Sequence, residues 1–580
     1  MMKFKMPVAV VGMAGLFPGA SDLDIFWENL TNKKNTVVEI PDNRWIIPKH
    51  AMYNQSPMPD KAYSKRACLV DKNFGFDPKG FEIEGSIIME LDPLYHMVLH
   101  AGQKAWQNCV TKPINKNRAG VSLAAIALPT DSSSSLTRRI LGKSFEDKIL
   151  NTPGTQNQEF LSINKTLSLS TRVTSLPGAI LAKALGLGGG SFTLDAACAS
   201  SIYAVKLACD ELQSGRRDAM LAGGVSRPEC LFTQVGFSQL QALSPSGNCA
   251  PFDENADGLV VGEGAGILVL KRLEDALTHN DNIYGIIKGI GLSNDMRGNL
   301  LAPDTAGQVR AMEAAYKSAG WSPFDVDHIE CHGAGTPVGD KTELISLRTL
   351  WGESGWSPEQ CAIGSVKSMT GHLLTGAGAA GMIKTLLGIN HKTFPPSLNF
   401  TKPHKNSPLN NSPFRVQTQA QEWEQRNSST PRRAAVSAFG FGGINAHLLF
   451  EEYLPTANEK VIVNSREVPG AIDNCDIAIV GMGAAFGRLN SLQEFQEAVL
   501  NGSSAIARRP LDRWKGADDF AGNLPDNLKD GQGLWGAYMD KISLYAGEFQ
   551  IPPNEIPDIL PQQLLMLKVA ASAMKDADLP

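Results

Sequence analysis

Long apolar runs are missing from this 580-residue chain. Nowhere do about eighteen apolar residues follow one another, so no membrane span is expected. The nine cysteines are scattered, odd in number and never spaced CxxC. That argues against a disulfide framework and a zinc ribbon, and points to a reducing, cytoplasmic compartment. GxSxG, the serine elbow of α/β-hydrolases, does not occur either. There is no surplus of positive charge: the formal net charge is −5, which excludes a broadly basic nucleic-acid surface but leaves room for a local basic patch. His96 and His100 lie four apart on an expected helix, but Met97 breaks HExxH and no third ligand accompanies them, so no metal site is expected. Hydrophobic residues at 43% against 19% charged are those of an ordinary globular protein, long enough for about two to four domains.

What is present is, first, a repeat. Residues 7–13 read PVAVVGM and residues 476–482 read DIAIVGM, two apolar runs that end in glycine, as buried strands entering a turn do. Asp42-Asn43-Arg44-Trp45 is echoed by Leu511-Asp512-Arg513-Trp514, and Gly80-Phe81-Glu82-Ile83 by Glu548-Phe549-Gln550-Ile551. The organisation read from this is a first module over 1–455, a polar linker over 456–475, and the N-terminal part of a second copy over 476–580. Pro561–Asp578 has helical periodicity and would lack most of its packing partners. Lys3 and Lys5 before the apolar stretch Pro7–Phe17 have the outline of a secretory signal, but the mid-chain near-copy makes the stretch structural. Inside the first module strands and helices alternate: Ser191–Asp195, Gly264–Leu270, Gly285–Gly291 and Val326–Ile329 read as strands and Ser200–Ser214 as a helix, the pattern of a layered α/β fold. The stretch Thr401–Arg433, rich in Pro, Asn, Ser and Gln, reads as surface loop.

Three segments carry chemistry. In Asp195-Ala196-Ala197-Cys198-Ala199-Ser200-Ser201 a strand runs into small residues and a cysteine before a helix opens, the arrangement of a nucleophile elbow. A helix N-terminus there favours thiolate over thiol and offers N–H groups to an oxyanion. A lone cysteine is more often inert and buried. His332, in Cys331-His332-Gly333-Ala334-Gly335-Thr336, and His372, in Lys367-Ser368-Met369-Thr370-Gly371-His372, each follow a strand and meet glycine-rich chain, where backbone can approach a ligand closely. Together the three reverse the odds that each would carry alone. Two look-alikes fail. Gly376–Gly381 fits GxGxxG but has no acidic residue before Glu422, so its glycines are read as close helix packing behind His372. Gly142-Lys143-Ser144 lacks the first glycine of a phosphate loop.

Residues 1–455 resemble a β-ketoacyl synthase of the thiolase-like fold, through DAACASS, HGAGTPVGD, KSMTGH and SAFGFGGINAH in the family's order. The resemblance implies a layered αβαβα fold and decarboxylative Claisen condensation of a malonyl carrier with a Cys-bound acyl chain, in fatty acid or polyketide synthesis. It implies Cys198 as acyl acceptor, His332 and His372 as promoters of decarboxylation, Lys367 as electrostatic organiser, Phe441 as gate and (with Cys198) oxyanion-hole donor, and Thr336 as a contact to the substrate arm. No metal or cofactor is implied, since substrates arrive on the phosphopantetheine of an acyl carrier protein or domain. Ala334 stands where the family has Thr, which removes one hydroxyl from the arm tunnel, a loss of about 1 kcal/mol. The tandem layout resembles the ketosynthase–chain-length-factor subunit of bacterial polyunsaturated fatty acid synthases, with a homodimer or pseudo-dimer as the expected assembly and a ketosynthase-like module as partner. The alternatives are a non-condensing malonyl decarboxylase and a truncated assembly partner of a synthase complex.

Overall fold

The structure, a computed structural model, describes residues 6–71, 74–137, 174–297, 302–455, 476–510, 513, 535–539, 542–545, 547–549 and 551–579. The expected linker 456–475, Gly142-Lys143-Ser144, and Leu511, Asp512, Trp514 and Gln550 of the repeat lie outside the described residues. The described residues fall into two units, one up to residue 455 and the other from residue 476.

The first unit is built on β1 (Val8–Leu16), β2 (Ala119–Ala125), β3 (Ser191–Leu194), β4 (Ala219–Ser226), β5 (Gly264–Arg272), β6 (Gly285–Asn294), β7 (His328–Glu330), β8 (Cys361–Gly364), β9 (Phe414–Val416), β10 (Arg433–Gly440) and β11 (Ile444–Glu451). Their order is β9-β8-β7-β10-β11-β6-β1-β5-β4-β2-β3. Outward from the centre, where β1 meets β6, the two halves repeat one another: β1-β5-β4-β2-β3 on one side, β6-β11-β10-β7-β8 on the other. The pairing repeats as well, with two antiparallel ladders next to the centre and then two parallel ones in each half. Cys198 follows β3 and Lys367 follows β8, the third strands of their halves.

Strand alternation assigns the layers. In β1, Val8 and Val10 face one apolar cluster and Ala9 and Val11 another. In β10, Ala434, Val436 and Ala438 join the same cluster as Val8, while Ala435 and Phe439 turn to a third. The shared cluster holds two helices, α3 (Ser200–Gln213) and α6 (Ala377–Asn390). Between α3 and α6 in the chain lie α4 (Thr305–Ala319) and α5 (Pro337–Trp351), which cover the outer face of the second half. Earlier in sequence, α1 (Pro93–Gln107) and α2 (Leu176–Leu185) cover the outer face of the first. The result is the expected αβαβα stack. Its middle layer is buried all round, as a helix between two sheets must be: Ala377 through Ile389 of α6 are all buried, and apolar but for Lys384 and Thr385.

Two local expectations are corrected. The stretch 401–433 is not loop throughout, because Phe414–Val416 adds β9 in parallel to β8 at the sheet edge. Three residues are too few for an alternation to be legible in sequence. Between β8 and His372 the chain is not a simple strand end either. It makes one helical turn, Lys367–Thr370, closed by Gly371 at φ +69°.

In the second unit, α7 (Pro561–Asp576) forms as expected. A Cβ on Gly481 would run into the carbonyl oxygen of Ala573, as one on Gly12 would reach to 2.5 Å of the Ala105 oxygen on α1. The repeat thus reproduces the strand-on-helix approach. The flanking strands are not reproduced among the described residues: residues 476–485 carry no ladder, and Ile477 and Ile479 are 93% and 83% exposed where the first copy is buried.

Candidate active site

A cavity of about 340 Å³ in the first unit is lined by Cys198, His332, His372, Thr336, Phe441 and Phe237, among others. The backbone explains how the chemistry-bearing residues reach it. After β3 the chain turns so sharply that Ala197 adopts φ +49°, a left-handed conformation costly for a residue with a Cβ. The turn is held by Asp195, whose carboxylate accepts from the Ala197 N–H at 2.9 Å, and by Ser200, whose hydroxyl accepts from Ala196 N–H at 2.7 Å and donates to the Ala197 carbonyl at 2.5 Å. Cys198 therefore sits just before the N-terminus of the 14-residue α3. A Cβ on Gly440 would lie 2.9 Å from the Ala197 Cβ and 3.1 Å from the Cys198 nitrogen. Only glycine lets the Phe441 loop come this close, and it brings the Phe441 N–H onto the Cys198 sulfur.

The thiolate expected from the helix N-terminus is corrected. Burial pushes the Cys198 thiol up to about 11, against the pull of Lys367 and the Phe441 N–H. The resting group is the thiol. What distinguishes Cys198 from the other seven free cysteines among the described residues is access, since it alone of them lines this cavity.

Both imidazoles are fixed in one tautomer. The Phe439 N–H donates to His332 Nδ1 at 3.3 Å and the Leu374 N–H to His372 Nδ1 at 2.9 Å. A backbone N–H can only donate, so each Nδ1 presents a lone pair and the ring proton of the neutral imidazole is on Nε2. Leu374 is itself at φ +49°, a second strained non-glycine at this cavity, beside His372. The rings lie 5.5 Å apart between centroids. Burial, first, and then Lys367 hold His332 well below the usual imidazole range and His372 at about 3. Neither carries charge near neutral pH. The pair offers two neutral N–H donors.

Lys367, buried at the start of its helical turn, donates from Nζ to the His332 carbonyl oxygen. The Glu343 carboxylate accepts from the His332 N–H at 2.7 Å and the Gly333 N–H at 2.8 Å. Asp340 accepts from Gly335 N–H at 3.2 Å and from Phe252 N–H at 2.8 Å. Burial raises Glu343 to about 7 and Asp340 to about 6, although backbone N–H groups pull both down. Thr336 heads α5 without a side-chain capping bond, which leaves its hydroxyl available at the cavity wall. Sequence reasoning singled out Cys198, His332, His372, Lys367, Thr336 and Phe441, and the fold gathers all six. It missed Glu343 and Phe237, whose ring centroid is 6.3 Å from that of Phe441. The signal for Glu343 was its helical spacing in Pro337–Trp351, which places it under the His332 turn.

The look-alikes resolve structurally. Gly378 and Gly381 are close-packing positions, with a Cβ landing 3.2 Å from Ser201 Cβ and 3.1 Å from Glu330 Cγ respectively. His96 bonds the Ile88 carbonyl oxygen at 2.8 Å and stacks on Phe76, and His100 packs edge-on to Phe74. No metal-binding cluster is found among the described residues.

Comparison with known proteins agrees with this geometry. The family model "Beta-ketoacyl synthase, N-terminal domain" matches residues 5–276 and again 474–580, and "Beta-ketoacyl synthase, C-terminal domain" matches 284–401. The chain is 35% identical over 455 residues to polyketide synthase PksL of Bacillus subtilis, covering 77% of this chain and 9% of that one. It is 33% identical over 481 residues to polyketide synthase PksN of the same organism, covering 80% and 8%. The chain therefore spans less than a tenth of these relatives' length. Among solved structures, PfaC Keto synthase-Chain length factor is similar at TM-score 0.82 and 33% identity, over 99% of this chain and 60% of that one. A ketosynthase from module 6 of the bacillaene synthase of Bacillus subtilis is similar at TM-score 0.67 and 34% identity, over 78% and 72%. This chain belongs to the β-ketoacyl synthase family.

Proposed function

We propose that the first unit condenses a Cys198-bound acyl chain with a malonyl thioester. The observation that carries this is the convergence on one cavity of a thiol and two imidazoles whose Nε2–H tautomers are set by backbone donors. In the first half-reaction the Cys198 sulfur attacks an acyl thioester, the new Cys thioester forms, and the carrier thiol leaves with the Cys198 proton. In the second, malonyl thioester loses carbon dioxide, and the electron pair of the broken C–C bond becomes an enolate. Its oxygen is stabilised by the two Nε2–H donors, which need no proton transfer to act. The nucleophilic carbon attacks the Cys198 thioester. The N–H groups of Cys198 and Phe441 receive the tetrahedral oxyanion, and Cys198 leaves as thiolate and takes up a proton. The products are β-ketoacyl thioester and carbon dioxide.

Lys367 orients His332 through its carbonyl and keeps both rings neutral, Phe441 gates the cavity on its glycine-flanked loop, and Thr336 meets the substrate arm. The chain requires no cofactor or metal of its own in this reading. Its substrates ride on an acyl carrier, its assembly is a dimer or pseudo-dimer with a ketosynthase-like module, and its compartment is cytoplasmic. The tandem layout favours a ketosynthase–chain-length-factor role in polyunsaturated fatty acid synthesis, supported by likeness to PfaC over both copies.

The test is intact-protein mass spectrometry after incubation with a medium-chain acyl thioester, followed by malonyl thioester. One acyl adduct on Cys198, absent from Cys198→Ala, and a β-ketoacyl product are expected. Carbon dioxide release without β-ketoacyl product would instead mark a non-condensing decarboxylase.

A further inference from the structure

Behind the cavity lies a charged pair that the chemistry above does not use. Glu330 ends β7, two residues before His332, and is 1% exposed. One of its carboxylate oxygens, Oε1, accepts from the Val366 N–H at 2.6 Å. The other, Oε2, lies 2.7 Å from Lys384 Nζ on α6, with both side chains essentially inaccessible to solvent. That contact lacks hydrogen-bond geometry, so the attraction is one of charge. Gly381, one turn before Lys384, leaves the room that Glu330 Cγ occupies.

Val366 immediately precedes Lys367, and Lys367 Nζ reaches back to the His332 carbonyl. Two straps therefore cross between the same pair of segments: Glu330 side chain to Val366 backbone, and Lys367 side chain to His332 backbone. One segment carries His332. The other, six residues on, carries His372. We propose that Glu330 and Lys384 are positioning residues, a buried ion pair that sets the spacing of the two imidazole N–H donors and so serves the decarboxylation step in particular. The elbow of Cys198 is held by a separate set of bonds, from Asp195 and Ser200. The elbow helix also meets the His372 side where the Ser201 hydroxyl donates to the Thr375 carbonyl, so loss of the pair is felt mainly, and not equally, by one half-reaction. Removing one partner strands a buried charge, whereas removing both does not.

The inference rests on the proposed condensation, and its test separates the two. In the full chain, Lys384→Met is expected to slow carbon dioxide release from malonyl thioester at least tenfold while Cys198 acylation stays within about twofold. The double variant Glu330→Gln/Lys384→Met should recover only part of the lost decarboxylation, because no charge is left unpaired but the brace is gone, and full recovery overturns the proposal. Equal loss in both half-reactions, or unchanged decarboxylation, overturns the proposal. A crystal structure of Lys384→Met decides the bracing whether or not the wild-type chain turns over: a moved Val366–His372 segment supports it, and an unmoved one overturns it. Failure of the wild type to release carbon dioxide would count against the proposed function, and the crystallographic outcome would still decide the pair.

Discussion

At the scale of single residues, burial holds the polar groups of the site in one protonation state over a wider pH range than water would. Desolvation keeps both imidazoles neutral, with His372 at about 3, so neither should titrate during catalysis. Decarboxylation is expected to be flat from about pH 5 to 8 as far as the histidines are concerned, and a titration near 6.5 in that step would argue against the assigned donors. Cys198 behaves in the opposite way. Its thiol is pushed up to about 11, so thiolate is scarce at neutral pH and its fraction grows tenfold per pH unit below that value. The acylation rate should climb steadily with pH between 6 and 9 where the sulfur's proton loss limits it, as a stopped-flow series would show. Glu343 joins two backbone N–H groups that a glutamine cannot both satisfy, because its amide nitrogen only donates. Glu343→Gln is expected to slow decarboxylation about tenfold or more, in line with the ~1–3 kcal/mol cost of an unsatisfied buried donor.

At the scale of elements, glycines let backbones meet where the chemistry requires it, and they differ in kind. Gly440 is a matter of space, since any Cβ meets the elbow itself, whereas Gly442 has open space around it and only its φ of +86° favours glycine. Gly440→Ala should abolish most acyl transfer to Cys198. Gly442→Ala should leave acylation nearly intact and destabilise the loop by about 1 kcal/mol. Comparing adduct yield and melting temperature for the two variants tests the distinction. The same reasoning applies to α6, whose glycines fitted a dinucleotide fingerprint in sequence. Gly378 and Gly381 admit the α3 helix and the Glu330 side chain, which is why no acidic ribose partner accompanies them.

At the scale of the whole molecule, every residue that lines the cavity belongs to the first unit. The second carries large apolar side chains in water: Val480, Met482 and Phe486, besides Ile477 and Ile479, are exposed. Exposed apolar side chains of this kind bind apolar dyes. Changing Ile477 and Ile479 to Asp is expected to lower dye fluorescence without moving the rate of Cys198 acylation, and a loss of acylation would show that the second unit shapes the site. Stability should also depend on pH through the buried carboxyls. Their folded values, about 7 for Glu343 and about 6 for Asp340, lie above their unfolded ones. The folded protein therefore binds more protons across that window, and this contribution is present at low pH and lost as pH rises from about 4 to 7. Replacing Asp340 by Asn should flatten that part of the melting-temperature profile.

Much of this was legible in the chain itself. A turn flanked by Ala197 and Ser200 makes an elbow because small residues permit it, and an apolar run ending in glycine, twice over, marks two copies of one module. Such features depend on neighbours in sequence, so the sequence alone determined them: the elbow around Cys198, the glycine-flanked His332 and His372, the α/β alternation and the repeat. The tertiary structure decided the rest. Cys198 lies more than a hundred residues from either histidine, and only the matching halves of the sheet bring β3, β7 and β8 to one cavity. The Nε2–H tautomers depend on the Phe439 and Leu374 N–H groups, the thiol's resting state on burial, and the Glu330–Lys384 brace on a helix that crosses between two sheet layers. Desolvation and through-space charge act between groups that the chain order does not make neighbours, and they are fixed only once the fold has closed around them.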